Sequence, residues 1–143
     1  MFIGQYRHTL DDKNRLTVPA KFREALGTSA ILTKGFDGAL SIYTENEWQH
    51  VLVQLSAMNT NSADVRKHIR VITASATPCE WDKQGRMVVP THLLQLAGIT
   101  KDCVLIGVQN HIELWSLEAW DKYYADASMS FEATAEGLAA HGL

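Results

Sequence analysis

Apolar and polar positions alternate over residues 2–10, with Phe2, Tyr6 and Leu10 on one face and Gln5, Arg7 and Thr9 largely on the other. A period of two is that of a half-buried strand. Asp11, Asp12, Lys13 and Asn14 then break the alternation with turn residues, and residues 16–19 return as a short strand. Pro19 stands where a helix begins, because its missing N–H costs nothing in a first turn. Residues 20–26 read as a two-turn helix with Phe22 and Leu26 inward, closed by Gly27 as a left-handed cap. Residues 30–33 and 39–43 read as strands joined through Asp37 and Gly38, a strong hairpin signal. Thr44 with Glu47 makes a capping box, so a helix runs from there to about residue 57 with Trp48, Leu52 and Leu55 inward.

Residues 58–62 form a polar connection, and residues 64–70 read as a further helix bearing Arg66, Lys67, His68 and Arg70. The same order of signals then starts again. Residues 71–81 read as a strand, 90–97 as a short helix, and 103–108 with 111–115 as a hairpin. Ser116 caps a last helix that passes Trp120 and ends near Tyr124. From Ser128 the chain is small and polar, and a frayed helical tail is expected.

The second pass repeats the first almost literally. The phrase at 10–19, Leu-Asp-Asp-Lys-Asn-Arg-Leu-Thr-Val-Pro, matches Trp-Asp-Lys-Gln-Gly-Arg-Met-Val-Val-Pro at 81–90, an offset of 71 that sets Asp82 on Asp11 and Arg86 on Arg15. With an offset of 72, Gly107 falls on Gly35, Trp115 on Tyr43 and Trp120 on Trp48. The chain is therefore two copies of one supersecondary unit. A copy of about 70 residues is marginal alone, so the two are expected to share a core. This divides the chain into a first repeat at 1–57, a connecting helix at 58–70, a second repeat at 71–127 and a tail at 128–143.

Composition narrows the function. A chain of 143 residues with 46% apolar content is one ordinary globular domain. Cys79 and Cys103 have no partners at zinc-site spacing and read as small buried residues of a reducing compartment. No stretch has the length of a signal or membrane segment, which points to a cytoplasmic protein with no membrane partner. His111 and Glu113 share a strand face, but two ligands without a third do not make a metal site. No nucleophile elbow, phosphate loop or zinc-protease motif occurs, so the chain reads as no enzyme and as needing no cofactor.

The net charge of −3 argues mildly against nucleic acid, but its distribution matters more. Over residues 7–27, Arg7, Lys13, Arg15, Lys21 and Arg23 outnumber Asp11, Asp12 and Glu24, whereas over 78–98 Lys83 and Arg86 are balanced by Glu80 and Asp82. The copies are alike in shape and unlike in charge. A turn projecting with Lys13 and Arg15 at its tip, and with Arg7, Lys21 and Arg23 close in sequence, can meet phosphates and a guanine edge. Asp82 and Arg86 are expected to close the second turn as a salt bridge, while neighbouring cations leave Asp11 compensated and Arg15 free.

An Asp-x-x-x-Arg turn between two strands, followed by Val-Pro and a short helix, and occurring twice, resembles the MraZ family of bacterial transcriptional regulators. The likeness spans the chain up to about Ala127. It implies a mainly β, α+β fold: a pseudo-two-fold, swapped-hairpin AbrB-like β-barrel with short helices. It further implies ring-shaped homo-oligomers, nucleoid-associated, that bind double-stranded DNA at repeated promoter sites. The family represses the division and cell-wall gene cluster, its own gene included. The family's motif usually has glycine where this chain has Asn14; asparagine also tolerates left-handed backbone, and Gly85 keeps the glycine in the second copy. On this reading Arg15, Lys13, Asn14, Arg7, Lys21 and Arg23 meet DNA, and Asp11, Asp82, Gly85 and Arg86 build the turns. The alternative is an antitoxin-type module that binds a protein through the tail at 128–143, where Phe131 is the one bulky anchor.

Overall fold

The computed structural model describes residues 1–142. Each half contributes four strands: β1 (Gln5–Thr9), β2 (Arg15–Thr17), β3 (Ala30–Lys34) and β4 (Leu40–Tyr43) from the first, then β5 (Thr77–Cys79), β6 (Arg86–Val88), β7 (Asp102–Gly107) and β8 (Ile112–Ser116). Helices α1 (Ala20–Leu26) and α4 (Thr91–Leu96) follow β2 and β6. Between the halves lie α2 (Glu45–Ser56) and α3 (Ala63–Ser75), and the chain ends with α5 (Leu117–Met129), α6 (Phe131–Gly137) and a 3-10 turn at Leu138–His141.

Six strands form one antiparallel sheet in the order β1-β7-β8-β4-β3-β5, and β2 and β6 pair as a separate ribbon. Exchanging each strand for its repeat equivalent reverses this order and leaves it unchanged. The registers carry the same symmetry. Leu16 faces Met87, and Ser41 faces Glu113, which are each other's equivalents in the two copies. The first strand of each half pairs with the third of the other, β1 on β7 and β5 on β3, so neither repeat holds its own sheet.

The expected barrel does not form. The large sheet is open, with β1 and β5 at its edges. β2 and β6 are three residues long and stop short of Pro19 and Pro90, which have no N–H to extend a ladder. They pair with each other, and Met87 of β6 also bridges Trp81. One core nevertheless serves both halves: Leu16, Phe22, Leu32 and Ile42 pack in the same cluster as Met87, Leu93, Leu105 and Leu114. Cys79 and Cys103 are buried, and burial pushes their thiols up to about 12 and about 11.

Local signals held where they were strong. Thr44 accepts the Glu47 N–H at 3.0 Å and caps α2. Asp37 and Gly38 both take positive φ, at 58° and 84°, as a type I′ hairpin turn needs. Tyr43 meets Trp48 in a tilted contact at 6.0 Å, and their equivalents Trp115 and Trp120 meet edge to face at 5.2 Å, so each aromatic helix residue docks on the strand before it. Gly27 ends α1 at φ 74° and ψ −153°, an extended positive-φ conformation open to glycine rather than the expected left-handed cap.

Other expectations are corrected. Residues 71–81 do not form one strand: α3 continues to Ser75, and only Thr77–Cys79 is extended. Val65, His68, Ile69 and Ile72 recur at helical spacing on the half-buried side of α3, and Thr33 Oγ1 donates to the Ile72 carbonyl at 2.7 Å. α5 reaches Met129 rather than Tyr124, while the tail is helical, as expected, at α6.

Candidate nucleic-acid interface

The turns that join β1 to β2 and β5 to β6 are built alike. Asp11 Oδ1 accepts the backbone N–H groups of Lys13 and Arg15 at 2.9 Å, and Oδ2 accepts Arg15 Nε at 2.6 Å. Asp82 accepts the N–H groups of Gln84 and Arg86 at 2.9 Å and Arg86 Nε at 2.7 Å. The expectation that Arg15 is free of Asp11 is therefore corrected: both turns close with the same ion pair. Asn14 sits at φ 58° and Gly85 at φ 75°, so both take the left-handed backbone that the sequence required.

The turns also bond across the two halves, beside exposed tips at Asp12-Lys13 and Lys83-Gln84. The Asn14 carbonyl accepts the Val89 N–H at 3.0 Å, and the Gly85 carbonyl accepts the Val18 N–H at 3.1 Å. Each turn satisfies its inner N–H groups with its own carboxylate, which leaves the carbonyl of its last residue, Asn14 or Gly85, to bond across the pseudo-two-fold axis. Trp81 Nε1 adds a bond to the Gly27 carbonyl at 3.2 Å. The halves are interlocked through the ends of their turns, where each chain segment crosses the other.

Arg23 belongs to this crossing. Its Nε donates to the Val18 carbonyl at 3.0 Å, and a Cβ on Gly85 would lie 2.6 Å from that same Nε. Gly85→Ala is thus expected to cost about 1–3 kcal/mol, combining a positive φ with displacement of Arg23. The fall in thermal midpoint measures it, with Asn14→Gly as a tolerated control.

Burial works to raise the Asp11 carboxyl, but the N–H groups of Arg15 and Lys13 and the Arg15 side chain outweigh it and hold the group below the ordinary carboxylate value. For Asp82 the Arg86 N–H is the largest influence, and it too lies low. A depressed folded value gives stability that is present above the unfolded value, near about pH 4, and is lost as pH falls through the folded one. Acid should therefore weaken the fold below about pH 4, and the double variant Asp11→Asn, Asp82→Asn should flatten that dependence. Urea midpoints measured across this range test it.

What faces solvent is the ribbon. β2 and β6 bury their middle residues Leu16 and Met87, so the flanking side chains Arg15, Thr17, Arg86 and Val88 stand on the outer face. Arg15 lies opposite Val88, and Thr17 opposite Arg86. Both arginines line one groove of about 630 Å³, together with Trp81, Glu80 and Val88, and Val88 is 60% exposed.

The two arginines differ at their forks. Arg86 Nη2 is held by Gln84 Oε1 at 3.0 Å. The first copy has Lys13 in place of Gln84, and the Arg15 terminal nitrogens have no hydrogen-bond partner among the described residues.

The remaining cations are dispersed. Lys13 is exposed beside the ribbon, and Lys21 is exposed on α1. Arg7 is drawn off by Asp121 of α5 at 2.9 Å and does not join Arg15 in the groove. The sequence reading missed Thr17, Trp81 and Val88 on this face. The three-residue period-two pattern around Leu16 and Met87 was the signal for Thr17 and Val88. His111 and Glu113 bond each other at 3.3 Å, and Glu113 also accepts Trp115 Nε1 at 3.0 Å.

Fold and surface together define a class: a pseudo-symmetric protein in which two copies of a mixed α and β unit, interlocked at their Asp-x-x-x-Arg turns, build one core and one arginine-bearing ribbon. Comparison with known proteins narrows that class. The chain belongs to the MraZ family, whose model, described as MraZ protein, putative antitoxin-like, matches residues 1–70 and again residues 72–140. Among its relatives, Transcriptional regulator MraZ of Desulforamulus reducens is 44% identical over 138 residues, covering 96% of this chain and 97% of the relative. Transcriptional regulator MraZ of Syntrophomonas wolfei is 41% identical over 143 residues and covers all of both chains.

Proposed function

We propose that this chain is a DNA-binding transcriptional regulator whose β2–β6 ribbon enters the major groove, with Arg15 as the reading side chain. The outward face of the ribbon carries this reading. A two-stranded ribbon is narrow enough for the major groove, and an arginine fork matches the O6 and N7 acceptors of guanine. Asp11 holds Arg15 by Nε and leaves its terminal nitrogens available. Thr17 and Val88 offer methyl groups suited to thymine, and Lys13 and Lys21 suit phosphates. The names of the relatives support a regulatory role.

The charge balance also fits. Beyond Ser116 the chain carries Glu118, Asp121, Asp126, Glu132 and Glu136 against Lys122 alone, so much of the acid lies in the C-terminal helices rather than on the ribbon. The finer reading is a repressor of its own operon in the division and cell-wall gene cluster, acting on repeated promoter sites as a ring-shaped homo-oligomer. A single ribbon has a small footprint; linking several on one DNA raises affinity through effective concentration.

Fluorescence anisotropy on the duplex upstream of its own gene, against a scrambled duplex at two salt concentrations, tests the reading. Tight, salt-sensitive binding to the promoter alone supports it, and equal weak binding to both duplexes refutes it. Lys21→Ala is expected to weaken both duplexes alike and to reduce the salt slope by about 1.

A further inference from the structure

Two apolar surfaces of opposite charge are left uncovered on different parts of the molecule. The first is a groove of about 320 Å³ between the β3–β4 hairpin and helices α2 and α3, lined by Phe36, Tyr43, His68 and Val71 together with Lys34 and Lys67. Phe36 is 71% exposed and Val71 50%, and the Phe36 ring stacks on His68 at 6.1 Å. Arg66 and Arg70 add positive charge to α3, where Asp64 is the one acid.

The second surface is the C-terminal segment. α5 packs on β7 and β8, whereas α6 packs against the 3-10 turn and makes no extensive contact with any strand. Met129 is 88% exposed, Phe131 70% and Leu138 39%. Phe131 and Leu138 stand seven residues apart, with Thr134 and Ala135 between them, and form one apolar stripe. Glu132 and Glu136 lie four apart beside it, and no lysine or arginine follows Lys122.

The groove belongs to the β3–β4 side of the sheet and the tail leaves from the β7–β8 side, so the molecule does not close one on the other. We propose that the groove receives the α6 segment of a second copy of this chain, with Phe131 beside Phe36 and Val71, and with Glu132 and Glu136 facing Lys34 and Lys67. Exposed apolar surface on both sides supplies the driving force, and opposite charge selects this occupant. Because groove and tail are different surfaces, the contact is heterologous and propagates from copy to copy until it closes. The proposal rests on the reading that copies associate and names the surfaces that do it.

Light scattering coupled to size exclusion, on the full chain without DNA, tests this contact. One variant disables the groove with Phe36→Asp and Val71→Asp, and another disables the tail with Phe131→Asp and Leu138→Asp. All four positions are exposed, and circular dichroism with thermal melting checks that the fold is kept. The wild type is expected to be oligomeric and each variant monomeric, self-association falling by about tenfold or more. Mixed together, the two variants should form a one-to-one dimer and nothing larger, since one groove and one tail remain intact. Reversing Lys34 and Lys67 to Glu should also dissociate the chain, and adding Glu132→Lys and Glu136→Lys should restore it. Variants that keep the wild-type size, or a mixture that stays monomeric, would overturn the docking while leaving association by another face. A wild type that is monomeric at every concentration would overturn association as well, with the DNA reading still open to its own test.

Discussion

Leu16→Ala is expected to lower the unfolding free energy by about 2–5 kcal/mol, the largest stability loss foreseen for a single substitution here. Leu16 is 0% exposed and lies opposite Met87, also 0% exposed, where the two halves cross. β2 has three residues, its ends are tied by the Asp11 turn and by Pro19, and the Val18 N–H is held by Gly85. The site therefore has little freedom to collapse onto the cavity, which is the condition that puts such substitutions at the costly end of the range. Against a domain stability of about 5–15 kcal/mol, that loss removes a large share. Met87→Ala should cost a similar amount. The double variant should show coupling rather than simple addition, because the residues touch across the axis. Urea denaturation measures all three. A loss below about 1 kcal/mol for Leu16→Ala would mean that the crossing is not a shared core.

Arg15→Ala is expected to weaken promoter binding by about 1–3 kcal/mol, roughly 5- to 150-fold, and to narrow the gap between promoter and scrambled duplex. The guanidinium fork is the reason. With Nε on Asp11, the two terminal nitrogens stand in one plane and can bond a guanine edge as a pair. Arg15→Lys keeps the charge but loses the fork, so it should recover general affinity and not specificity. Arg86→Ala should cost less, since Gln84 already occupies one of its nitrogens. Arg15 also helps close its turn, so thermal melts of each variant separate a binding loss from a folding loss. Unchanged promoter affinity in Arg15→Ala would remove the ribbon as the reading element and turn attention to α3.

Legibility followed the range of the interactions involved. The doubled Asp-x-x-x-Arg phrase, the positive φ of Asn14 and Gly85, the Asp37-Gly38 hairpin and the Thr44 cap all concern groups within about four residues of one another. Their physics is local. The strand expected over residues 71–81 failed because a β-branched apolar run serves a helix or a strand equally well. Packing of α3 on β3, together with the Thr33 to Ile72 bond, decided for the helix.

The candidate site divides in the same way. Arg15, Lys13 and Asn14 could be named from the turn, and Lys21 from its charge. That Arg7 would be taken by Asp121, 114 residues away, could not be read from the chain. Nor could the place of Arg86 beside Arg15, which depends on the register of β2 against β6.

By itself the sequence determined that this protein is one unit used twice, where its turns fall, and which copy keeps the basic charge, because these follow from residue identity and short-range geometry. Only the tertiary structure decided that the turns interlock across the two halves, that the sheet stays open, and that two arginines share one outward face. Those outcomes turn on which backbone groups find partners across the pseudo-two-fold axis, in a core that neither half can complete alone.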